Sequence, residues 1–456
     1  MVTTTTFGRS KTFICFNAEK QSIDMKKILY SVFMLATMVL AACSSDIIEP
    51  AVKRGMVLKA NVEDTDTRAT ITDTKGVWKF AFATDDKVKV GNDQVEGFYT
   101  FTNNGTEFSS ADALQTTKAA NWYAYFPGET INLANQSGEF ADVAQKYALA
   151  GATATPTTGS NGLTITMKAK TAVLCIVGVN KDDILDISVK DADGKYVSSL
   201  TADKKSADFK VETSDTKVSL LKAKGAGVYY VVVPAGVKLS VYNNGEKSLY
   251  SGDKLMSTTD GLKAGKYYAL TTGKTKGSAK NSLGETIDWV QLWAGGPKFA
   301  TKNVAEEMTW YDAIKTGDDF AWGKNWRTPT IDEVYGEGKL NCKFDGKTGL
   351  PESVAGSPSF ELKKQGEYLT VVLTGVQPGY TKNTLTLYNQ IKHGTHNFDF
   401  WTASDHIDSK GTDFGVRFGI TAYEDDTKEV KIVYLGPYSS DYKDKKYLVR
   451  PVLAEK

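Results

Sequence analysis

The three histidines of the chain lie close together in sequence and are interleaved with carboxylates. Imidazole and carboxylate groups are preferred ligands of divalent metals, and a His-x-x-His spacing can bring two imidazoles to one ion. The alternative is a polar loop that happens to hold these residues. We favour this alternative and expect neither a bound metal nor a cofactor. The residues of this candidate ligand or metal cluster are His393, His396, Asp399, Asp405 and His406.

Cys43 is the second residue whose surroundings indicate chemistry. A basic start at Met25 is followed by an apolar run from Ile28 to Ala42, and Cys43 comes directly after Leu-Ala-Ala. This order is typical of a secretory signal, and the run is shorter than the roughly 20 residues of a membrane-spanning helix. The junction resembles a bacterial lipobox, which implies cleavage between Ala42 and Cys43 and attachment of diacylglycerol to the thiol. The alternative is a chance cysteine after an ordinary signal.

Composition indicates an extracellular β protein. The chain has 40 glycines, 22 tyrosines and 11 prolines, and 55 basic residues nearly balance 54 acidic ones. Because there is no basic stripe, we expect no nucleic-acid partner. No Gly-x-Ser-x-Gly, His-Glu-x-x-His or phosphate-loop motif stands out, so we predict no catalytic residues; a hydrolase is the least favoured alternative. Cys175 lies in an apolar strand-like run and Cys342 far from it, so the fold is expected to rest on its core and not on disulfides.

A period of two marks the first strand after the signal. Met56, Leu58, Ala60 and Val62 fall on one face, as expected of a half-buried strand. Many short runs of this kind, separated by Gly, Asn and Asp turns, continue to Gly273 and predict β-sandwiches. The other predicted strands of this part are 77–82, 87–90, 98–101, 120–126, 163–167, 171–177, 184–189, 218–221, 228–233, 238–242 and 267–271.

The composition changes after Gly273: six of the eight tryptophans lie between Trp289 and Trp401. This part is predicted as α+β, with helices near 309–316 and from Thr330, and strands at 368–374, 414–418, 429–434 and 447–452. The predicted segments are a misassigned leader (1–24), the signal (25–42), a lipidated tether (43–54), two β subdomains (55–160 and 161–273), a linker (274–284) and an α+β domain (285–456).

Residues 55–273 resemble the fimbrillin (Mfa-like) family, the subunits of type V pili. The resemblance is carried by the first strand after the tether, by Thr67-Arg68-Ala69-Thr70, by Trp78 with Asp85–Val90, by Tyr229–Pro234 and by Ala264–Leu270. In one place the chain departs from the family pattern, because Thr84-Asp85 stands where the family has Gly-Asp. The resemblance implies tandem fimbrillin-type β-sandwich subdomains.

The fimbrillin resemblance also implies a route of assembly. Such pilins reach the outer membrane as lipoproteins, and a trypsin-like, Arg-specific surface protease cuts behind the first strand. Arg68 matches that position, within a polar segment that a protease could enter. Loss of the first strand opens a groove that a neighbouring subunit fills with a donor strand, which is β-augmentation. The alternatives are that Arg68 is an ordinary loop arginine, or that cleavage occurs at Arg54, which would keep the strand.

Residues 285–456 resemble the Fibrobacter major paralogous domain, a C-type-lectin-like fold. The resemblance is carried by Ile287–Val290, Phe299–Ala305, Phe320–Gly323, Trp326–Thr330, Pro378–Tyr380, Phe400–Ser404 and Val449–Val452. The Glu-Pro-Asn and Trp-Asn-Asp signatures of calcium-dependent sugar lectins are missing. The resemblance therefore implies a fold and leaves the ligand open.

Two functional hypotheses follow. The first is a tip or accessory pilus subunit that mediates cell adhesion, located at the outer membrane and, after maturation, in the fimbrium. Its expected partners are other pilin subunits, the Arg-specific protease and a host or bacterial surface glycan or protein. The second is a non-polymerising outer-membrane lipoprotein that binds glycan or protein through its C-terminal domain. The two differ in whether Arg68 is cut.

Overall fold

The computed structural model describes twelve segments of the chain. They are residues 56–62, 72–74, 77–79, 82–112, 121–153, 162–252, 254–256, 261–335, 358–365, 368–390, 395–424 and 430–454. Strands dominate these segments, which confirms the mainly β fold. Within them, no helix is both long and apolar enough to cross a membrane.

The first part of the chain forms a closed barrel. Its strands are β1 (Met56–Val62), β2 (Thr72–Thr74), β3 (Val77–Lys79), β4 (Lys87–Gly91), β5 (Tyr99–Asn103), β6 (Phe108–Ser110), β7 (Trp122–Phe126), β8 (Thr130–Asn132), β9 (Leu149–Thr153) and β10 (Gly162–Ala169), with a 3-10 helix, η1 (Phe140–Gln145), before β9. The order around the barrel is β1-β10-β9-β7-β4-β5-β6, while β2 and β3 form a separate hairpin. Alternate side chains such as Val88, Val90 and Phe101 are buried inside it.

The second part contains two sheets. Its strands are β11 (Thr171–Gly178), β12 (Ile184–Lys190), β13 (Tyr196–Ala202), β14 (Phe209–Ser214), β15 (Leu221–Lys224), β16 (Gly227–Pro234), β17 (Ser240–Asn243), β18 (Tyr250–Ser251), β19 (Lys254–Leu255) and β20 (Tyr267–Thr271). One sheet has the order β16-β11-β20-β18-β19, and the other has the order β14-β13-β12-β15, with β17 on β12 and β8 on β13. All residues of β11 are buried because this strand is flanked on both edges and covered on both faces.

The third part holds the remaining elements. They are β21 (Lys276–Lys280), β22 (Thr286–Gln291), β23 (Lys298–Ala300), β24 (Met308–Thr309), α1 (Trp310–Ala313), η2 (Gly317–Asp319), β25 (Trp326–Arg327), α2 (Ile331–Tyr335), β26 (Ser359–Gln365), β27 (Tyr368–Thr374), β28 (Thr384–Gln390), β29 (Thr395–Ile407), β30 (Asp413–Glu424), β31 (Val430–Tyr442), β32 (Lys446–Tyr447) and β33 (Val452–Leu453). The main sheet has the order β21-β22-β23-β33-β25, and β26-β27-β28 and β29-β30-β31 form two three-stranded sheets.

Aromatic side chains fill the core of this third part. The six tryptophans between Trp289 and Trp401 are buried, at 9% exposure or less. Two of them, Trp322 and Trp326, pack edge to face with ring centroids 5.6 Å apart. Because buried indole N–H groups need acceptors, Trp401 donates to the carbonyl of Met308 and Trp310 to that of Thr402. These contacts tie β24 and α1 to β29.

Both predicted helices of this part exist, and both are short. The hydroxyl of Thr309 accepts a hydrogen bond from the backbone N–H of Asp312 and caps α1, which ends at Ala313 instead of near 316. At α2, Thr330 and Glu333 form the predicted reciprocal cap: the Thr330 N–H donates to the Glu333 carboxylate at 2.8 Å, and the Glu333 N–H donates to the Thr330 hydroxyl at 3.2 Å.

Three sequence-based expectations about strands need correction. The segment predicted as an irregular linker contains β21, which pairs with β22 through its backbone and needs no apolar pattern as a sheet edge. The predicted strand 218–221 is shifted to Leu221–Lys224. The predicted strand 447–452 is split into β32 and β33, and the side chain of Arg450 between them is buried. The domain boundaries themselves stay predictions.

Candidate functional site

Strand β1 closes the barrel between two neighbours. It runs antiparallel to β6, with Leu58 opposite Phe108, and parallel to β10, with Leu58 opposite Leu163 and Ala60 opposite Ile165. The backbone of β1 is therefore paired along both edges. Without β1, the barrel would be open, and β6 and β10 would each present an unpaired edge.

Burial is described for four side chains of β1, and Val57 among them is half-buried. Leu58 is fully buried and Ala60 is partly buried against the core, whereas Lys59 is exposed. The positions of Met56 and Val62 in the ladder are described, but their side chains lie outside the described part. Burying a leucine stabilises a fold by about 1.5–3 kcal/mol. The buried side chain of Leu58 alone therefore stabilises the packing of β1 against the barrel by an amount of this order.

An apolar groove underlies β1. The strands that flank it contribute side chains that are 4% exposed or less. They are Phe108 from β6 and Leu163, Ile165 and Met167 from β10. Because these residues alternate along their strands, the groove offers a place for every second side chain of any strand laid between β6 and β10.

One wall of this groove was not predicted from the sequence. β6 was not among the predicted strands, since three residues with two serines give almost no alternation. The parallel pairing of β1 with β10 was also unpredicted, because the two strands are about a hundred residues apart in the chain. The sequence around them, such as Phe108 between polar neighbours, shows only a weak alternation of apolar and polar residues and so gives little indication of a strand.

Two predicted site residues of the N-terminal part fall outside the described residues. Arg68, the predicted maturation site, lies between β1 and β2, and Cys43 with its cleavage partner Ala42 precedes β1. Their roles stay predictions.

The predicted cluster around the histidines is spread along one strand. His396, Asp399, Asp405 and His406 all belong to β29. Asp399 and Asp405 lie opposite Gly419 and Gly415 of β30, four residues apart at about 3.3 Å each, so they are separated by roughly 13 Å. His393 lies outside the described residues, as does the side chain of His396. Across the described part of the chain, no group of three or more His, Cys, Asp or Glu residues could hold a metal ion.

Asp399 instead belongs to a buried ion-pair cluster. Its carboxylate lies 3.0 Å from the guanidinium of Arg417, which is also 3.6 Å from Asp441 and stacks over the ring of Tyr447 at 4.5 Å. The side chain of Arg417 is 8% exposed. Burial raises the pKa of Asp399, and Arg417 offsets only part of this effect. Burial also acts on Asp441, but hydrogen bonds from Tyr447 and Lys445 outweigh it and lower the pKa of Asp441.

A second cationic group lies beside this cluster. Lys443, with a side chain 6% exposed, lies 2.5 Å from Asp413 and 3.7 Å from Asp405, and its ammonium group sits 3.9 Å above the ring of Trp310. These contacts join β29, β30 and the chain after β31 to α1. They are structural contacts, and the sequence could not show them because the partners are far apart in the chain.

No protein-family model matches the chain, and no curated protein matches it in sequence. Among solved structures, a fimbrial protein from Bacteroides ovatus is 12% identical over 89% of this chain and 100% of that one, with a TM-score of 0.22. A candidate cell adhesion protein from the same species is 13% identical over 48% of this chain and 93% of that one, with a TM-score of 0.30.

A variant of the major pilin of Streptococcus pyogenes is 10% identical over 48% of this chain and 96% of that one, with a TM-score of 0.17. Similarities at these identities and scores carry no argument about function. The function proposed below is therefore argued from the geometry of this chain and from its sequence.

Proposed function

We propose that this chain is a surface-exported fimbrial subunit that mediates adhesion, and that it joins other subunits by exchanging β1 for a strand that one of them supplies. The observation that carries the proposal is the position of β1 in the barrel. One short strand closes the barrel, it is paired on both edges, and it covers a groove of buried apolar side chains.

The physics of the exchange follows from this position. Removing β1 would expose Phe108, Leu163, Ile165 and Met167 to water and leave two ladders without partners. A new strand with apolar residues at alternate positions would restore both the ladders and the burial. The open barrel would thus bind a donor strand strongly, and it would aggregate if none were present.

Processing would supply the trigger. Cys43 would carry the lipid that anchors the subunit before assembly, and an Arg-specific protease would cut after Arg68. Such a cut falls between β1 and β2, so it would separate β1, together with the lipid, from the rest of the barrel. A cut after Arg54 would leave β1 in place and would not open the groove.

The C-terminal part favours a tip or accessory position over a repeating one. β33 pairs with β23 through Val452 and Phe299, and it also pairs with β25. A strand that is bonded on both edges inside its own sheet is not available as a donor. In our proposal the subunit accepts a strand, does not give one, and presents its C-terminal part for adhesion.

Limited proteolysis tests the proposal. The purified chain would be treated with catalytic amounts of trypsin, and the new N-terminus would be read by mass spectrometry. We expect a chain beginning at Ala69 in which the cut β1 stays paired with β6 and β10 until a donor strand replaces it, and we expect Arg68→Ala to prevent its formation. Arg54→Ala is the matched control, because it removes the neighbouring arginine on the other side of β1 and should leave the Ala69 product unchanged.

A chain that resists cutting at Arg68, or that loses its barrel altogether once cut, would contradict strand exchange. In that case a non-polymerising surface lipoprotein would be the better account.

A further inference from the structure

A large polar cleft lies where the second and third parts of the chain meet. Its volume is about 1000 Å³. Its walls are formed by the loop Asn180–Asp182, by the loop Trp293–Lys298, and by Arg327 with the start of α2. A second cavity of about 700 Å³ continues from it and shares Asn180, Lys298 and Leu453, so that the whole groove is elongated.

Hydrogen bonds across the junction hold the two loops in place. The N–H of Gly295 donates to the carbonyl of Val179 at 3.0 Å, and the side-chain amide of Gln291 donates to the same carbonyl at 3.0 Å. Gly295 has a φ of +73°, and a Cβ there would come within 2.8 Å of the Ala226 side chain. The walls therefore meet too closely for any other residue at this position, and the cleft is preformed.

One pair of lining residues forms a fixed ion pair. Arg327 donates to the Glu333 carboxylate through two nitrogens, one of them at 2.7 Å, and the reciprocal cap between Thr330 and Glu333 locks that carboxylate further. Burial would raise the pKa of Glu333, but the hydrogen bonds from Arg327 and Thr330 outweigh it and lower the pKa. The pair thus stays ionised at neutral pH, with both partners held in one geometry.

Charges along the cleft are balanced. The cationic lining residues are Lys181, Lys298 and Arg327, and the acidic ones are Asp182, Asp332 and Glu333. A ligand with strong net charge of either sign would meet as much repulsion as attraction here. Neutral groups that both donate and accept hydrogen bonds would find a partner of either kind along the walls, and hydroxyl groups have this property.

The lining is poorly suited to a peptide. Two edge strands reach the cleft, β25 through Arg327 and β16 through Gly227. β25 has only two residues, and β16 lines the cleft only with its first residue, so neither offers a ladder within the cleft for an added strand. The apolar lining comes mainly from small residues, such as Ala226, Gly227 and Ala294, and offers no deep pocket for a large side chain. Trp293 lines the cleft but is only 3% exposed.

We infer that this cleft binds a neutral oligosaccharide, whose hydroxyl groups alternate between the cationic and acidic side chains of the walls. The inference adds a ligand class to the adhesive role proposed above and rests on that role, but it does not depend on strand exchange. The cleft is complete in the uncleaved chain and contains no residue of β1.

An oligosaccharide array probed with the purified, uncleaved chain tests the inference. The array would carry neutral chains of hexoses and N-acetylhexosamines, the corresponding sialylated and sulfated chains, and a set of neutral peptides. We expect retention on neutral oligosaccharides. Asp332→Ala and Lys181→Ala should each weaken that binding at least tenfold in Kd, because each removes a charged hydrogen-bonding group from the cleft.

Matched controls are available in the same chain. Asp318→Ala and Lys410→Ala remove equally exposed charges of the same two types outside the cleft, and they should leave Kd within twofold of the parent. All four changed side chains are exposed, so the melting temperature should stay constant and report an intact fold.

Retention of only charged oligosaccharides, retention of only peptides, or no retention would each overturn the inference. So would retention of neutral oligosaccharides that Asp332→Ala and Lys181→Ala leave unchanged. None of these outcomes touches the tryptic test of Arg68, so failure of the ligand and failure of strand exchange remain distinguishable.

Discussion

The barrel and the C-terminal part are each closed by a short segment, and the two segments are held in different ways. β1 closes the barrel through its two ladders and through apolar contacts such as those of Leu58. The closing segment 446–453 is held by short ladders and, in addition, by side chains that reach elsewhere. Arg450 alone donates to the carbonyl of Ala300 at 3.0 Å and to that of Thr386 at 3.2 Å.

We propose that this difference decides which strand can be exchanged. Ladder bonds and alternate apolar contacts can be reproduced by almost any strand of suitable pattern, so the place of β1 can be taken by another chain. A segment fixed by a buried guanidinium and specific carbonyls can be replaced only by one that carries the same groups. In our proposal, β1 is therefore the strand that is exchanged, and the closing segment 446–453 stays in place.

The largest expected effect is on the stability of the C-terminal part. Arg417→Met removes the cation between Asp399 and Asp441 and leaves Asp399 buried without that cation, while Asp441 keeps Lys445 and Tyr447. We expect the free energy of unfolding of this part to fall by about 3–5 kcal/mol. Tryptophan fluorescence during urea unfolding would measure it, since six of the eight tryptophans lie between Trp289 and Trp401.

Lys445→Met is the control for this experiment. Lys445 lies 3.0 Å from the same Asp441 carboxylate, but its side chain is 55% exposed. Exposed pairs contribute little, so we expect a loss below about 1 kcal/mol. Equal losses for the two variants would show that the buried cluster does not anchor this part.

The next largest effect is on the stability of β1 in the barrel. Leu58→Ala removes the fully buried side chain of β1 and should lower its stability in the barrel by about 2–5 kcal/mol, whereas Lys59→Ala on the exposed face should change it by less than about 0.5 kcal/mol. Hydrogen exchange of the β1 and β10 amides would measure the change.

If Leu58→Ala weakened amide protection across the C-terminal sheets as much as in the barrel, the barrel would not open independently. The contrast between the two closing segments would then fail.

The smallest effect is a dependence on pH. The pKa of Glu333 is lower in the folded chain than in the unfolded one, so its pairing with Arg327 stabilises the fold at neutral pH. This contribution is lost as the pH falls through the ordinary glutamate range, near 4.3, towards the lower folded value. Glu333→Gln should therefore cost about 1 kcal/mol at pH 7 and almost nothing in acid, as urea unfolding at the two pH values would show.

Glu306→Gln, at an exposed glutamate, is the matched control and should leave the difference in stability between the two pH values as it is in the parent chain. A Glu333→Gln variant whose cost did not decline in acid would indicate that the glutamate acts through its cap alone.

Strands with a clear period were predictable from the sequence. β1, β11, β20 and β27 lie at or within a residue of their predicted bounds, because each alternates or is continuously apolar. β6 was not predicted because it has only three residues and pairs with β1, which is distant in the chain. β21 was not predicted because it is a polar strand at the edge of its sheet. The closing segment was predicted as one strand, since its sequence does not reveal that the Arg450 side chain is buried.

The sites were predictable to different degrees. The face of β1 follows from its own alternation, but the groove needs β6 and β10, which come from other parts of the chain. Asp399 was expected near histidines and lies against Arg417 instead, because neighbours along β29 point away from one another or are far apart. The cleft is lined by several separated segments, and no local pattern could show it.

Strand complementation tests the central claim most directly. After trypsin has cut at Arg68, the product would be offered a synthetic peptide with the β1 sequence MVLKANV, and a second peptide in which the residue corresponding to Leu58 is aspartate. We predict that the first peptide replaces β1, protects the β6 and β10 amides from exchange and keeps the product soluble, and that the second does neither. Equal protection with both peptides, or protection with no peptide after β1 has been washed away, would contradict the exchange of β1.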